Sequence, residues 1–129
     1  MSKEEILFKL SLIEQQSNEI KQQIETIDSQ TGELENLKSC FKNIEKSKNK
    51  EMLANLGRGV FIKTKIDDEK LFVNVGSKIV VRKTPEETSK IIDKQIEEMN
   101  DLKENFVHNL EHLNSELAEL VEEARKEKN

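Results

Sequence analysis

The chain has 129 residues, of which 36% are charged and 34% hydrophobic, with no Trp, no Tyr and a single Pro. That composition excludes a large-cored globule and suits long solvated helices carrying a narrow apolar seam. The net charge of −5 is divided unevenly: residues 38–83 hold twelve Lys/Arg against five Asp/Glu, a net of +7, while residues 1–37 and 84–129 have nets of −5 and −7.

The one cysteine, Cys40, has no partner for an internal disulfide and fits a reducing compartment. Beside Phe41 it is expected to be a partly buried, inert thiol. No apolar run approaches the roughly 18 residues of a membrane span. The start, MSKEEILFKLSLIEQQ, is too acidic and too interrupted for a signal peptide. The expectation is a soluble, cytoplasmic protein with no membrane partner.

Residues 1–46 carry an apolar residue every seven positions, at Ile6, Ile13, Ile20, Ile27, Leu34 and Phe41, with Leu10, Ser17, Ile24, Thr31 and Lys38 between them. The 4-then-3 spacing puts the first series at d and the second at a of a heptad. The helical pattern fades in the polar stretch Glu45–Lys50.

Four short strands follow within residues 52–83, at Met52–Leu56, Val60–Ile66, Leu71–Val75 and Ile79–Lys83. Gly57-Arg58-Gly59, Asp67–Lys70 and Gly76-Ser77-Lys78 separate them as turns, which makes two hairpins. Alternation puts Val60, Ile62, Thr64 and Ile66 on one face and Leu71, Val73 and Val75 on another.

A second helix spans residues 85–126. Thr84-Pro85-Glu86-Glu87 reads as an N-cap, a Pro at the first helical position and the Glu of a capping box. Its d positions are Ile92, Met99, Phe106, Leu113 and Leu120; its a positions are Ile96, Lys103, Leu110, Leu117 and Ala124. In an antiparallel pair d of one helix faces a of the other. Ile13 with Leu117, Ile20 with Leu110 and Leu34 with Ile96 all have numbers adding to 130, as do Leu10 with Leu120 and Ile24 with Phe106. One constant satisfies both series, so the helices are expected to fold back on each other as an antiparallel coiled coil, each about 60 Å long at 1.5 Å per residue. In that register Ile27 faces Lys103 and Lys38 faces Ile92, with Thr31 beside Gly32. Either the lysines snorkel and the layers fix register, or the arm has a flexible point midway.

An isolated hairpin is marginal in water, and about 30 residues are too few to stand alone. Open apolar edges also invite association. The strand segment is therefore expected to be an oligomerisation hub, with Val60, Ile62, Ile66, Leu71, Val73, Val75, Ile79 and Val81 at contacts between subunits. The fold class is α+β: a long antiparallel two-helix coiled coil with two central β-hairpins that assemble between subunits as a common sheet or an intersubunit β-barrel.

The order helix, two hairpins, helix resembles a prefoldin subunit. The stretch LGRGVFIKTKIDDEKLFVNVGSKIVVRKTPEET is similar to the α-class pattern of a Leu-Gly-x-Gly-Val turn, a hydrophobic hairpin, a Val-Gly turn, a further strand and an acidic helix start. The archaeal α subunit is the nearest comparison, and the likeness covers essentially the whole of residues 1–129. It implies a hexamer of two α and four β-class subunits. In it a double β-barrel holds six coiled-coil arms that capture unfolded client proteins and deliver them to a group II chaperonin without ATP. The alternative is a structural coiled-coil protein whose hub builds homo-oligomers or filaments, like the γ-prefoldin branch.

The arm ends are the expected capture site. Beside the seam positions Ile6, Leu10 and Ile13, the first helix carries Leu7 at e, Phe8 at f and Leu12 at c, where polar residues belong. The second helix adds Val121 at e beside Leu117 and Leu120. Surplus apolar surface there suits weak, non-specific binding of exposed hydrophobic segments.

Other signals point away from catalysis. His108-Asn109-Leu110-Glu111-His112 matches the H-x-x-E-H string of a zinc protease family, but His108 at f and His112 at c face outward, with no third ligand or walled cleft. Gly57-Arg58-Gly59 lacks the third glycine and following helix of a nucleotide loop. No Ser/His/Asp or Cys/His arrangement stands out. The basic middle lacks Tyr or Trp to stack bases, so nucleic acid is not the expected partner. A complementary, more acidic hub on a partner subunit is a better use of that charge. No enzyme activity, cofactor or metal is expected.

Overall fold

The computed structural model describes residues 2–127; the ends of the expected 1–129 subunit, residue 1 and residues 128–129, lie outside the described residues. Its elements are α1 (Lys3–Ile44), β1 (Glu51–Gly57), β2 (Val60–Lys65), β3 (Leu71–Gly76), β4 (Ile79–Lys83) and α2 (Pro85–Glu127). They fall into two compact units. Residues 1–31 with 97–129 make one, and residues 32–96 make the other.

The first unit is a pair of helical segments held by a heptad seam. Ile6, Ile13, Ser17 and Ile27 of α1 and Leu120 of α2 are buried, while Leu10, Ile20, Ile24 and Thr31 are half-buried, as are Met99, Phe106, Leu110, Leu113, Leu117 and Ala124. The register is antiparallel with numbers adding to 130: Thr31 Oγ1 lies 3.9 Å from Met99 Sδ. At the weak layer, Lys103 Nζ leaves the seam for Asp28 Oδ1 at 2.7 Å, and Ile27 stays buried. The lysine snorkels, its stem covering the apolar layer. Ser2 caps the start of α1, its hydroxyl accepting from the Glu5 N–H at 3.2 Å and its carbonyl from the Ile6 N–H.

The second unit holds the helix ends and both hairpins. Phe41 of α1 and Ile92 of α2 are buried, and Lys38 pairs with Asp93, the residue after the isoleucine that the register sets opposite it. Helix α1 stops at Ile44, followed by Lys46 and Asn49 at positive φ. Ser47 is buried and turns both its hydroxyl and its N–H to the Ile44 carbonyl, which satisfies one of the helix's orphan acceptors. Helix α2 opens as its sequence predicts. Thr84 Oγ1 accepts from the Glu87 N–H at 3.1 Å, and the Thr84 N–H donates to Glu87 Oε1 at 3.3 Å, a capping box. The Thr84 N–H first, and second the Thr84 hydroxyl, which donates to the same Oε1 at 3.0 Å, hold the Glu87 carboxyl below its ordinary range.

The hairpins are separate two-stranded antiparallel sheets built on one repeated design. Asn55-Leu56-Gly57 and Asn74-Val75-Gly76 occupy equivalent places 19 residues apart. In each, the Asn Oδ1 accepts from the Gly N–H two residues on, at 2.7 Å and 2.9 Å. In each the register shifts there, and the strands close with Gly57 opposite Val60 and Gly76 opposite Ile79. The loop residues Arg58-Gly59 and Ser77-Lys78 all have positive φ, the conformation of a type I′ turn that matches strand twist. The ladder of the first hairpin continues one pair outward, Ile66 exchanging hydrogen bonds with Asn49 and Lys50.

Candidate functional site: two exposed apolar surfaces

The hub strands present hydrophobic side chains on both faces. In the first hairpin the pairs Met52–Thr64 and Ala54–Ile62 share one face, and Leu53–Lys63 and Asn55–Phe61 share the other. Val60, Ile62, Leu53 and Phe61 are all exposed. In the second hairpin Leu71, Val73 and Val81 are half-buried. Leu71 and Val73 line an apolar groove with Leu34, Leu37, Phe41 and Ile92. The opposite face bears Phe72, 72% exposed, with Val80 and with Arg82 lying 5.9 Å from the Phe72 ring centre.

Of the expected hub residues, then, Val60, Ile62, Val75 and Ile79 stand in the open, and Ile66, Leu71, Val73 and Val81 are half-covered within the unit. Sequence reasoning passes over Leu53, Phe61, Phe72 and Val80. The signal for them was the 19-residue repeat, which puts Leu53 in the place of Phe72 and Phe61 in that of Val80. The charges of the hub are partly paired internally: Lys63 with Glu51 at 3.0 Å, and Arg82 with Asp68.

The second surface lies in the first unit, where the opening turns of α1 meet the closing turns of α2. The expected capture residues separate by heptad position. Ile6, 1% exposed, together with Ile13 and Leu120, is spent on the seam, and Leu10 and Leu117 are half-buried there. Leu7 at 56%, Phe8 at 66%, Leu12 and Val121 are exposed. On one side a groove is floored by Leu12, Ile13 and Leu120.

Cys40 corrects an expectation. It is exposed, because c of the heptad points away from the seam that buries its neighbour Phe41. His108 and His112 are also exposed, each beside a glutamate of its own helix: His108 Nδ1 lies 3.8 Å from Glu111, and His112 Nε2 3.0 Å from Glu116. Among the described residues no group of three His, Cys, Asp or Glu side chains could hold a metal, and no helix is long and apolar enough to cross a membrane.

Two helices in heptad register, joined by hairpins that leave Phe61, Ile62, Phe72 and Val80 exposed, have the features of a subunit built for assembly. The comparisons with known proteins agree. The family model described as prefoldin subunit matches residues 13–129, and the chain belongs to that family, a family of chaperones. It is similar to α subunits in particular. It is 26% identical over 126 residues to prefoldin subunit alpha of Thermofilum pendens, spanning 96% of this chain and 98% of that one. Against prefoldin subunit alpha 1 of Methanocaldococcus jannaschii it is 30% identical over 118 residues, 92% and 79% of the two chains. The match to prefoldin subunit alpha of Methanosphaera stadtmanae, 29% identical over 89 residues, spans 69% of this chain and 64% of that protein's length. The fold is shared with a cryo-EM structure of filamentous PFD from Methanocaldococcus jannaschii, at a TM-score of 0.80 and 19% identity over 89% of this chain and 97% of that one.

Proposed function

We propose that this chain is the α-class component of a cytoplasmic, ATP-independent holdase. It assembles with β-class subunits, two α to four β, through its hairpins, and it captures unfolded polypeptide at Leu7, Phe8, Leu12 and Val121 for transfer to a group II chaperonin. One observation carries the assembly half. Each hairpin is a two-stranded sheet with exposed apolar side chains, and such a sheet is not stable in water by itself. Strands from neighbouring subunits complete it as a shared barrel. The capture half rests on Leu7 and Phe8, large side chains at e and f where a solvated helix needs none. Burying one of them in a client contributes roughly 1.5–3 kcal/mol. Several arms acting together hold a chain by avidity, while each contact releases readily.

Mixing with a β-class subunit tests assembly: light-scattering mass is expected to report a defined hetero-hexamer. For capture, Leu7→Ser with Phe8→Ser is expected to leave that mass unchanged and to weaken suppression of aggregation of a denatured client. Unchanged suppression removes the capture role. A second reading, self-assembly into filaments through the hub, is favoured by the fold shared with filamentous PFD. It predicts long polymers from this chain alone.

A further inference from the structure

The groove floored by Leu12, Ile13 and Leu120 has unequal walls. Helix α2 supplies Glu116, Glu119 and Glu123, and α1 supplies Lys9 and Gln16. Three carboxylates against one ammonium leave the groove anionic around an apolar floor. Glu116 is engaged by His112 Nε2 at 3.0 Å, but among the described residues neither Glu119 nor Glu123 has an ion-pair partner. Leu12 is exposed at the floor, at a heptad position that contributes nothing to the seam.

We infer that this groove selects among unfolded segments by charge, taking apolar stretches flanked by Lys or Arg over equally apolar stretches flanked by Asp or Glu. The inference rests on the capture role proposed above and adds the chemistry of the client. Leu12 supplies the non-directional part of binding, through apolar area removed from water. Glu119 and Glu123 supply the discrimination: a cationic flank meets opposite charge in their carboxylates, and an anionic flank meets like charge. Exposed pairs of this kind are each weak and are screened by salt. The selection is therefore a bias of a fewfold, which leaves the site tolerant of many sequences.

The test uses the full chain and two fluorescent 15-residue peptides with one apolar core, flanked by Lys in one and by Glu in the other. Anisotropy titrations are expected to give about fivefold tighter binding of the Lys-flanked peptide at low ionic strength, falling below about twofold in 0.5 M salt. Glu119→Gln with Glu123→Gln is expected to abolish the preference, weakening binding of the Lys-flanked peptide and tightening that of the Glu-flanked one. Lys9→Ala is expected to widen it. Equal affinities that both fall in Leu12→Ser overturn the charge selection and leave capture standing. Affinities that do not respond to Leu12→Ser overturn capture at this groove, and the selection with it.

Discussion

Lys103 Nζ lies 2.7 Å from Asp28 Oδ1, one residue past Ile27, the buried side chain that the register sets opposite the lysine. The second unit repeats the device, with Lys38 at a and the pair Ile92-Asp93 opposite it. In each case a lysine in an apolar seam is tolerated because the next residue along the partner helix offers a carboxylate at the rim. The charge belongs to the rim and the stem to the seam. The device also marks register, since a one-heptad slip that set Lys103 opposite Ile20 would bring its ammonium to Lys21 instead of Asp28.

Reversing one charge tests this. Lys103→Glu brings two carboxylates together beside a buried layer and is expected to lower the melting temperature. Adding Asp28→Lys is expected to restore part of the loss. Both side chains are more than a third exposed, so solvent screening limits the coupling recovered in a double-mutant cycle to about 0.2–1 kcal/mol. A cycle with no coupling would mean the pair is incidental.

Much of this was legible in the sequence, for a physical reason. A heptad records which side of a helix is dry, and every a and d position from Ile6 to Phe41 is buried or half-buried. The strand ends are as readable, because Asn-x-Gly and the residues after it have few alternatives to a tight turn. What the sequence does not carry is which strand face the chain covers with its own atoms. A period of two is the same whether the cover is a helix or another subunit, so Leu53, Phe61, Phe72 and Val80 escaped notice. Cys40 is the reverse case: its neighbour Phe41 drew it inward in the reading, while its heptad position exposes it. The buried Ser47 at the end of α1 gave no signal within a run of lysines.

Gly32 lies within α1, half-buried, and a Cβ built on it meets nothing within 4 Å. A helical glycine without a packing reason loses about 1 kcal/mol relative to Ala. Gly32→Ala is expected to stabilise the protein by about that amount, read as a higher urea midpoint with unchanged slope. An unchanged or lower midpoint would show that the glycine answers a need these contacts do not record. Running the aggregation-suppression assay on the same variant asks whether capture depends on bending at this point.

The two hairpin turns differ in one respect. Arg58-Gly59 includes a glycine at positive φ, but Ser77 and Lys78 adopt φ of 49° and 63° as ordinary L-residues. The left-handed region costs such residues roughly 1–2 kcal/mol each, and a type I′ turn favours Asn-Gly. Ser77→Asn with Lys78→Gly is expected to stabilise the β3–β4 hairpin by about 1 kcal/mol, after the greater chain entropy of glycine is deducted. Slower amide exchange in Leu71–Lys83, with no change in Glu51–Lys65, would locate the gain. Faster exchange there would contradict the turn assignment.

The capping box of α2 gives the protein a defined acid sensitivity. Hydrogen bonds from the Thr84 N–H and hydroxyl hold the Glu87 carboxyl below its ordinary value of about 4.5. A carboxyl whose folded value is depressed binds fewer protons folded than unfolded near that value, so its contribution is complete above about 4.5 and fades as pH falls through the lower folded value. Glu87→Gln keeps a side chain able to accept from Thr84 but cannot titrate. The difference in melting temperature between the parent and this variant is expected to be constant from pH 7 to pH 5 and to shrink at lower pH. Thr84→Ala removes the cap itself and is expected to cost about 1 kcal/mol at neutral pH. It also takes away the hydroxyl that lowers the Glu87 value, so part of the acid sensitivity should go with it. A parent and Glu87→Gln that lose stability in parallel down to pH 3 would place the acid response elsewhere in the chain.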